Sequence, residues 1–503
     1  MTSAMKTQHP PLSLSQSIFS AIKIVMANRK VAPSDAPLNR AQSVGVKKLR
    51  AHRQGNPRTA NTNKRKGIET DDRTTHIELS PHESEWRYMD LPSVTTLTIF
   101  EEQTADSIKL VEVYDRVGSI VKQNPWLTGR LRMNTDGIGL YYGTTFVDCF
   151  SSFERKRPID FDCKYERLLD LALPYTVKQG RDCVDQDEPL FKVTYLISGD
   201  VKKQFIIVFS LSSVIGDAHT LYQLYGMLDK KHEIKPLNCT RELNYLAALK
   251  SNIGSSNYSF TDTASSFRYN SRTFLSRFLW KRQKTIVHYI DEKVWLKKAK
   301  KNGKNGQVEI STNDCLTSWF FKMCNCSFGV MKVNFRNKLL ELNDTSAGNY
   351  TNSVLYRPDD FETPYLMRLS LGETHIRRAA RVQIGKTDTI IGTNLPTFMQ
   401  IQQNNSALAS NWYTVSKYIT YEGCKQSLHI PIINQKEEPY KNMLLIFQAT
   451  PSMMGAIIIG RGLIMDEADF PLDTGILKQS CMKFDDIYKP TAKISTLDEV
   501  KRA

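Results

Sequence analysis

Residues 205–228 constrain the fold of this chain more than any other stretch. Phe205-Ile206-Ile207-Val208-Phe209-Ser210-Leu211 is an apolar run of strand length, rich in β-branched and aromatic residues, and reads as a buried strand. Ser212-Ser213-Val214-Ile215-Gly216-Asp217 follows as a tight loop, and Ala218 to Leu228 reads as a helix. Asp217 stands where a carboxylate caps the first helical turn. Strand, short loop and helix together make a unit of an α/β layer. With 503 residues, 41% of them hydrophobic, the chain can bury a large core. Length alone suggests about two to four domains.

Charge and cysteine usage exclude several function classes. The formal charge is +16, but residues 1–67 hold thirteen Lys and Arg against one acid, Asp35, and so carry +12 of it. Residues 68–503 carry the remaining +4. A nucleic-acid enzyme spreads basic charge over a folded face; none is legible here, and no nucleic acid is expected as a partner. Nine Cys without regular spacing do not make a disulfide framework. Cys324-Asn325-Cys326 is the closest pair and lacks a second pair at ligand spacing, so no metal is expected. Reduced, mostly buried thiols fit an intracellular protein. No stretch approaches the roughly 18 apolar residues of a membrane span.

Residues 1–75 are rich in Ser, Pro, Asn, Gln, Lys and Arg and read as a disordered basic tail. Three readings of its address stand open. Leu12 to Met26 has the Ser-rich, basic, acid-poor look of an organelle transit peptide. Asn63-Lys64-Arg65-Lys66 has the look of a nuclear signal. The tail can also be solvated chain with no address. Its apolar run is too interrupted for a secretory signal peptide, so the expected location is intracellular, cytoplasmic or organellar.

Regular patterns begin near Glu78. Ser93–Phe100 reads as a strand and Ala105–Gln123 as a helix stopped at Asn124-Pro125. Trp126–Tyr142 reads as a hairpin around Asn134-Thr135-Asp136-Gly137, and Tyr165–Val177 as a helix at least as far as Pro174. Leu190–Ser198 and Gln204–Leu211 are strands joined by Gly199-Asp200-Val201. This series, 76–228, forms a first subdomain. Residues 229–284 interrupt it as a bridging segment. Within them Phe267, Phe274, Leu275, Phe278, Leu279 and Trp280 lie among Arg and Lys. Such a helix can lie on a membrane surface, but a face packed on the parent domain is the favoured reading. A second subdomain, 285–490, repeats the rhythm: strand Ile286–Tyr289, a Lys-rich helix Asp291–Lys301, helix Cys315–Met323 capped by Thr312 or Asn313, and strands at Val330–Phe335, Ala407–Tyr413, Met443–Gln448 and Ala456–Ile459. The expected fold is α/β (α+β), two similar two-layer subdomains.

Five separated stretches carry a resemblance. They are Ile120-Val121-Lys122-Gln123-Asn124-Pro125-Trp126-Leu127-Thr128-Gly129-Arg130-Leu131, the loop and its flanks at 205–228, Asn313-Asp314-Cys315-Leu316-Thr317-Ser318-Trp319, Val333-Asn334-Phe335-Arg336 with Ala347-Gly348-Asn349-Tyr350, and Ser410-Asn411-Trp412-Tyr413. In this order they resemble the chloramphenicol-acetyltransferase-like superfamily, which includes condensation domains and BAHD-type acyltransferases. The resemblance covers about residues 80–465. It implies two subdomains around a central tunnel, with an acyl thioester such as acyl-CoA and a small-molecule acceptor entering from opposite faces. It implies no bound cofactor.

The superfamily writes its active-site loop His-His-x-x-x-Asp-Gly, and the second His is the base. In this chain Ser212 and Ser213 replace the two His, Asp217 matches the Asp, and Ala218 replaces the Gly. The resemblance gives Asp217 a structural role, paired with Arg336 of the second half, and places Asn411 and Trp412 at the site. A hydroxyl cannot take a proton near neutral pH as imidazole does, so the loop lacks its base at Ser213. His219 and His429 are candidates to replace it, and a Ser213 nucleophile would need His219 within hydrogen-bond reach. Three readings stay open: a protein that binds an acyl thioester and transfers it weakly or not at all, a non-catalytic interaction scaffold on the same fold, and an active acyltransferase with another base. The sequence does not give the oligomeric state.

Overall fold

The computed structural model describes residues 74–102, 109–135, 137–143, 149–155, 165–198, 204–255, 258, 262, 284–290, 310–339, 342–369, 406–434, 442–460 and 476–478. The basic tail up to residue 73, the Gly199-Asp200-Val201 turn, the basic aromatic stretch 266–283, the Lys-rich segment Asp291–Lys301 and residues 479–490 lie outside them.

The first half supplies strands β1 (Thr75–Glu78), β2 (Val94–Glu102), β3 (Arg130–Asn134), β4 (Gly137–Tyr142), β5 (Phe150–Arg155), β6 (Phe191–Ser198) and β7 (Gln204–Leu211). Its helices include α1 (Leu110–Gln123), α2 (Tyr165–Ala172) and α3 (Ala218–Gly226), and α4 (Tyr245–Ile253) follows in the bridge. The second half supplies β8 (Lys284–Ile290), α5 (Thr312–Met323), β9 (Phe328–Asn334), β10 (Thr351–Tyr356), β11 (Ser406–Asn411), β12 (Cys424–Pro431), β13 (Asn442–Thr450), β14 (Met453–Gly460) and β15 (Ile476–Lys478). The described strands form a three-stranded sheet β1-β4-β3, a five-stranded sheet β12-β2-β7-β6-β5 and a seven-stranded sheet β10-β9-β11-β13-β14-β8-β15. Both larger sheets are mixed, for β5–β6, β9–β11 and β11–β13 pair in parallel and their other pairs are antiparallel.

Strand periodicity explains why the apolar runs lack alternation. On β7, Phe205, Ile207, Phe209 and Leu211 enter a core shared with α1 and α3, while Ile206 and Val208 point the other way. On β13, Leu444 and Ile446 join the core beneath α4 and α5, while Met443, Leu445 and Phe447 join Ile206 and Val208. Each large sheet is thus buried on both faces, so both registers are apolar. The third core takes Leu97, Ile99 and Leu196 from the first sheet, Val287, Val330 and Ile457 from the second, and Leu168 and Leu169 from α2. It joins the two halves through apolar contact.

One strand crosses between the halves. β12 belongs to the second half in sequence, yet it pairs antiparallel with β2, His429 opposite Thr98. The chain then returns to β13 in the seven-stranded sheet.

Several boundaries differ from the sequence expectation. α5 starts at Thr312, and its N-cap is Ser311 in place of Thr312 or Asn313. Ser311 Oγ accepts from the Asp314 N–H (3.2 Å) and Asp314 Oδ2 accepts from the Ser311 N–H (2.8 Å), a reciprocal capping box. α2 ends at Ala172, and Leu173–Tyr175 tightens into a 3-10 turn around Pro174, which has no N–H for the helical ladder.

Candidate active-site loop

The loop after β7 is tied down at every residue that sequence analysis singled out. Ser212 is buried, and its N–H donates to the Leu190 carbonyl (2.8 Å). The Ile215 and Gly216 N–H groups return to the Ser212 carbonyl (3.1 and 3.2 Å), closing the turn. At Gly216 an added Cβ would meet Leu211 Cδ2 at 2.7 Å and Thr220 Cγ2 at 2.9 Å, so a larger residue requires those side chains to shift. Asp217 is extended (φ −93°, ψ −175°) and caps α3, its Oδ1 accepting from the Thr220 N–H at 3.0 Å.

Asp217 and Arg336 lie together, with Arg336 Nη1 donating to Asp217 Oδ2 at 2.8 Å and both side chains buried. Oδ2 also accepts from the Tyr350 N–H (3.1 Å) and the Thr351 hydroxyl (2.9 Å). Arg336 spends its other donors on the Ser346 carbonyl (2.8 Å), the Gly348 carbonyl (2.9 Å), Asn334 Oδ1 (3.0 Å) and Thr220 Oγ1 (3.0 Å). Burial pushes the Asp217 carboxyl up, but the guanidinium charge and its hydrogen bonds outweigh this and hold it below the ordinary carboxylate value. The carboxylate is fully committed to holding the loop.

Ser213 is 7% exposed, and its hydroxyl donates to the Pro92 carbonyl. Its own carbonyl accepts from Asn349 Nδ2 at 3.2 Å. His219 lies elsewhere, on the α3 face turned to the second half. Its Nε2 is 3.0 Å from the Asp344 carbonyl, which fixes the proton on that nitrogen. Nδ1 is 3.3 Å from Asn334 Nδ2 and accepts from it. Burial, then the nearby Arg336 charge, lowers its pKa. Among the described residues no hydrogen bond joins Ser213, His219 and Asp217 into a relay.

His429 sits on β12 in the interior, with Nδ1 2.8 Å from Thr98 Oγ1 and Nε2 2.9 Å from the Tyr222 hydroxyl. The Tyr225 ring packs against it (4.9 Å between centroids), and the Tyr225 hydroxyl shares Thr98 Oγ1 (2.8 Å). Burial holds its pKa down at about 3, so it stays neutral. Both of its nitrogens are occupied by hydroxyls of the core. Trp412 follows the end of β11 and meets the edge of Tyr222 (6.2 Å). Asn411 Oδ1 accepts from the Tyr413 N–H at 2.9 Å, shaping that turn.

The sequence reading missed a second buried ion pair beside the loop, Arg241 Nε to Glu83 Oε2 at 2.8 Å. Arg241 Nη2 donates to the Ile215 carbonyl (3.0 Å) and Nη1 to the Ala347 carbonyl (2.8 Å). Both residues come from irregular segments, where no periodic pattern marks them. Among the described residues no cluster of three or more His, Cys, Asp or Glu can hold a metal ion, and no helix is long and apolar enough to cross a membrane.

No family model and no curated protein matches the sequence. Solved structures match the fold. TRI101 of F. graminearum complexed with ethyl coenzyme A aligns with a TM-score of 0.56 at 11% identity, over 80% of this chain and 99% of that one. The same protein complexed with coenzyme A and T-2 mycotoxin aligns with a TM-score of 0.56 at 12% identity, over 80% and 99%. Vinorine synthase aligns with a TM-score of 0.50 at 10% identity, over 81% of this chain and 94% of that one. The chain therefore shares the α/β fold of TRI101 and vinorine synthase, as the two-subdomain α/β expectation requires.

Proposed function

We propose that this protein binds an acyl thioester, acyl-CoA, in a passage between its two halves and transfers the acyl group weakly or not at all. The retained lock between Asp217 and Arg336 carries this reading, for it keeps the loop in place while a hydroxyl occupies position 213. Structural neighbours complexed with coenzyme A, and in one case also with a small toxin, support a thioester donor and a small-molecule acceptor.

Acyl transfer needs the acceptor O–H or N–H proton to move to a base while the acceptor atom attacks the thioester carbonyl. The CoA thiolate then leaves and takes the proton back. Ser213 directs its own proton to the Pro92 carbonyl, so its oxygen can accept a hydrogen bond from an acceptor hydroxyl and orient it. It cannot hold the transferred proton at neutral pH. His219 and His429 do not supply the base, because protein groups occupy the ring nitrogens of each. Positioning alone lowers part of a bimolecular barrier, which leaves room for slow transfer.

The test is acetyl-CoA binding by calorimetry together with thioester cleavage by Ser213→His. Wild type is expected to bind, and the substitution to raise CoA release about 10²–10⁴-fold, the range a positioned base contributes. Absence of binding would favour the interaction scaffold and remove the proposal.

A further inference from the structure

We propose that Glu83 and Arg241 are a second positioning pair for residue 213, acting through Asn349, so that the loop still holds this position as a catalytic side chain would require. The inference rests on the acyl-CoA reading above and adds residues that the Asp217–Arg336 lock does not include.

The contacts run in one direction. Glu83 and Arg241 have side chains 0% and 1% exposed. Glu83 Oε2 accepts from the Ser80 N–H (3.0 Å) and from Arg241 Nε (2.8 Å), which fixes the carboxylate. Oε1 accepts from the Asn349 N–H at 2.9 Å. The Asn349 carbonyl accepts from His82 Nε2 at 2.7 Å, and its amide reaches out to the Ser213 carbonyl at 3.2 Å. Arg241 meanwhile holds the carbonyl of Ile215, two residues further along the loop. The carbonyls of 213 and 215 are therefore both set by groups that Glu83 orients.

The segment between the two pairs is gripped on successive peptides. Arg241 takes the Ala347 carbonyl at 2.8 Å and Arg336 takes the Gly348 carbonyl at 2.9 Å. Gly348 has φ +142°, which strains any L side chain, and a Cβ there would crowd Tyr350 Cε2 at 3.1 Å and Arg241 Cζ at 3.2 Å. None of these bonds touches the Ser213 hydroxyl, which Pro92 holds independently. A buried ion pair adds little net stability over apolar side chains of the same volume. Its distinctive contribution is geometry, and the geometry converges on the backbone of position 213.

The experiment uses the full chain carrying Ser213→His and follows acetyl-CoA hydrolysis by thiol release. The imidazole takes a proton from water, the water oxygen adds to the thioester carbonyl, and the CoA thiolate departs and recovers the proton, giving acetate and CoA. Adding Glu83→Gln is expected to lower kcat about 100-fold, the effect of misplacing a reacting group by about an ångström. Calorimetric affinity for acetyl-CoA is expected to stay unchanged, and Glu83→Asp to recover part of the rate. Asn349→Ala, which removes only the last link, is expected to act alike and covers the case in which Glu83→Gln fails to fold. An unchanged kcat in Asn349→Ala overturns the proposal. So does a Ser213→His chain that binds acetyl-CoA and releases no CoA, a result that leaves thioester binding intact. Failure of the wild type to bind acetyl-CoA overturns both.

Discussion

Arg336 has donors for five hydrogen bonds and spends them on Asp217, Thr220, Asn334, Ser346 and Gly348. Removing its counter-charge leaves a buried cation unpaired, the costly case for an ion pair. Asp217→Asn is expected to lose about 3–5 kcal/mol in urea unfolding; a loss under about 1 kcal/mol, the level of an exposed pair, would contradict the lock. Asp217 and Arg336 were legible because the resemblance placed them at the positions of a loop Asp and its paired Arg, and they do pair at 2.8 Å. Glu83 and Arg241 were not, because neither lies in a periodic element. Ser213 was marked by the resemblance alone, and nothing in the sequence told that its hydroxyl would be held by the Pro92 carbonyl.

Elements were read most surely where apolar runs were long, as on β7, β13 and β14, and least surely where pairing is remote. The pairing of β12 with β2 brings His429 to Thr98, 331 residues apart in sequence, and no local pattern reports such a partner. Leu428 and Ile430 of β12 are fully buried in the core shared by the halves. Ile430→Ala is expected to cost about 2–5 kcal/mol by cavity formation, and chemical unfolding is expected to remain a single transition because both sheets line that core. On β9, a Cβ at Gly329 would come within 2.3 Å of the Phe321 ring of α5. Gly329→Ala is expected to destabilise by about 1–3 kcal/mol, the usual cost of overpacking. A neutral or stabilising result would show that the helix does not press on this sheet as described.

Across the whole molecule, His82, His219 and His429 are all held below their ordinary pKa of 6.5, first of all by burial, and His429 falls to about 3. At these three positions the unfolded chain binds more protons than the native one below about pH 6.5, so their contribution to stability is greatest above that value and declines on acidification. For His429 the decline runs down to about pH 3, and Asp217, also depressed, adds to it below its ordinary 3.8. Thermal unfolding between pH 7.5 and 5 is expected to show this fall, and His429→Gln to shallow it, approaching about one proton, or about 1.4 kcal/mol per pH unit, only at the acid end near pH 5. Because His219 and His429 are neutral and enclosed, the proposed function assigns the loop no proton acceptor and only weak acyl transfer or none. The most direct measurement mixes wild-type protein with stoichiometric acetyl-CoA and a panel of hydroxyl and amine acceptors, following bound thioester and released thiol together. The account predicts saturable binding with the thioester left essentially intact over many minutes. Thiol release at the roughly 1–10³ per second of ordinary enzymes, or no binding at all, would contradict it.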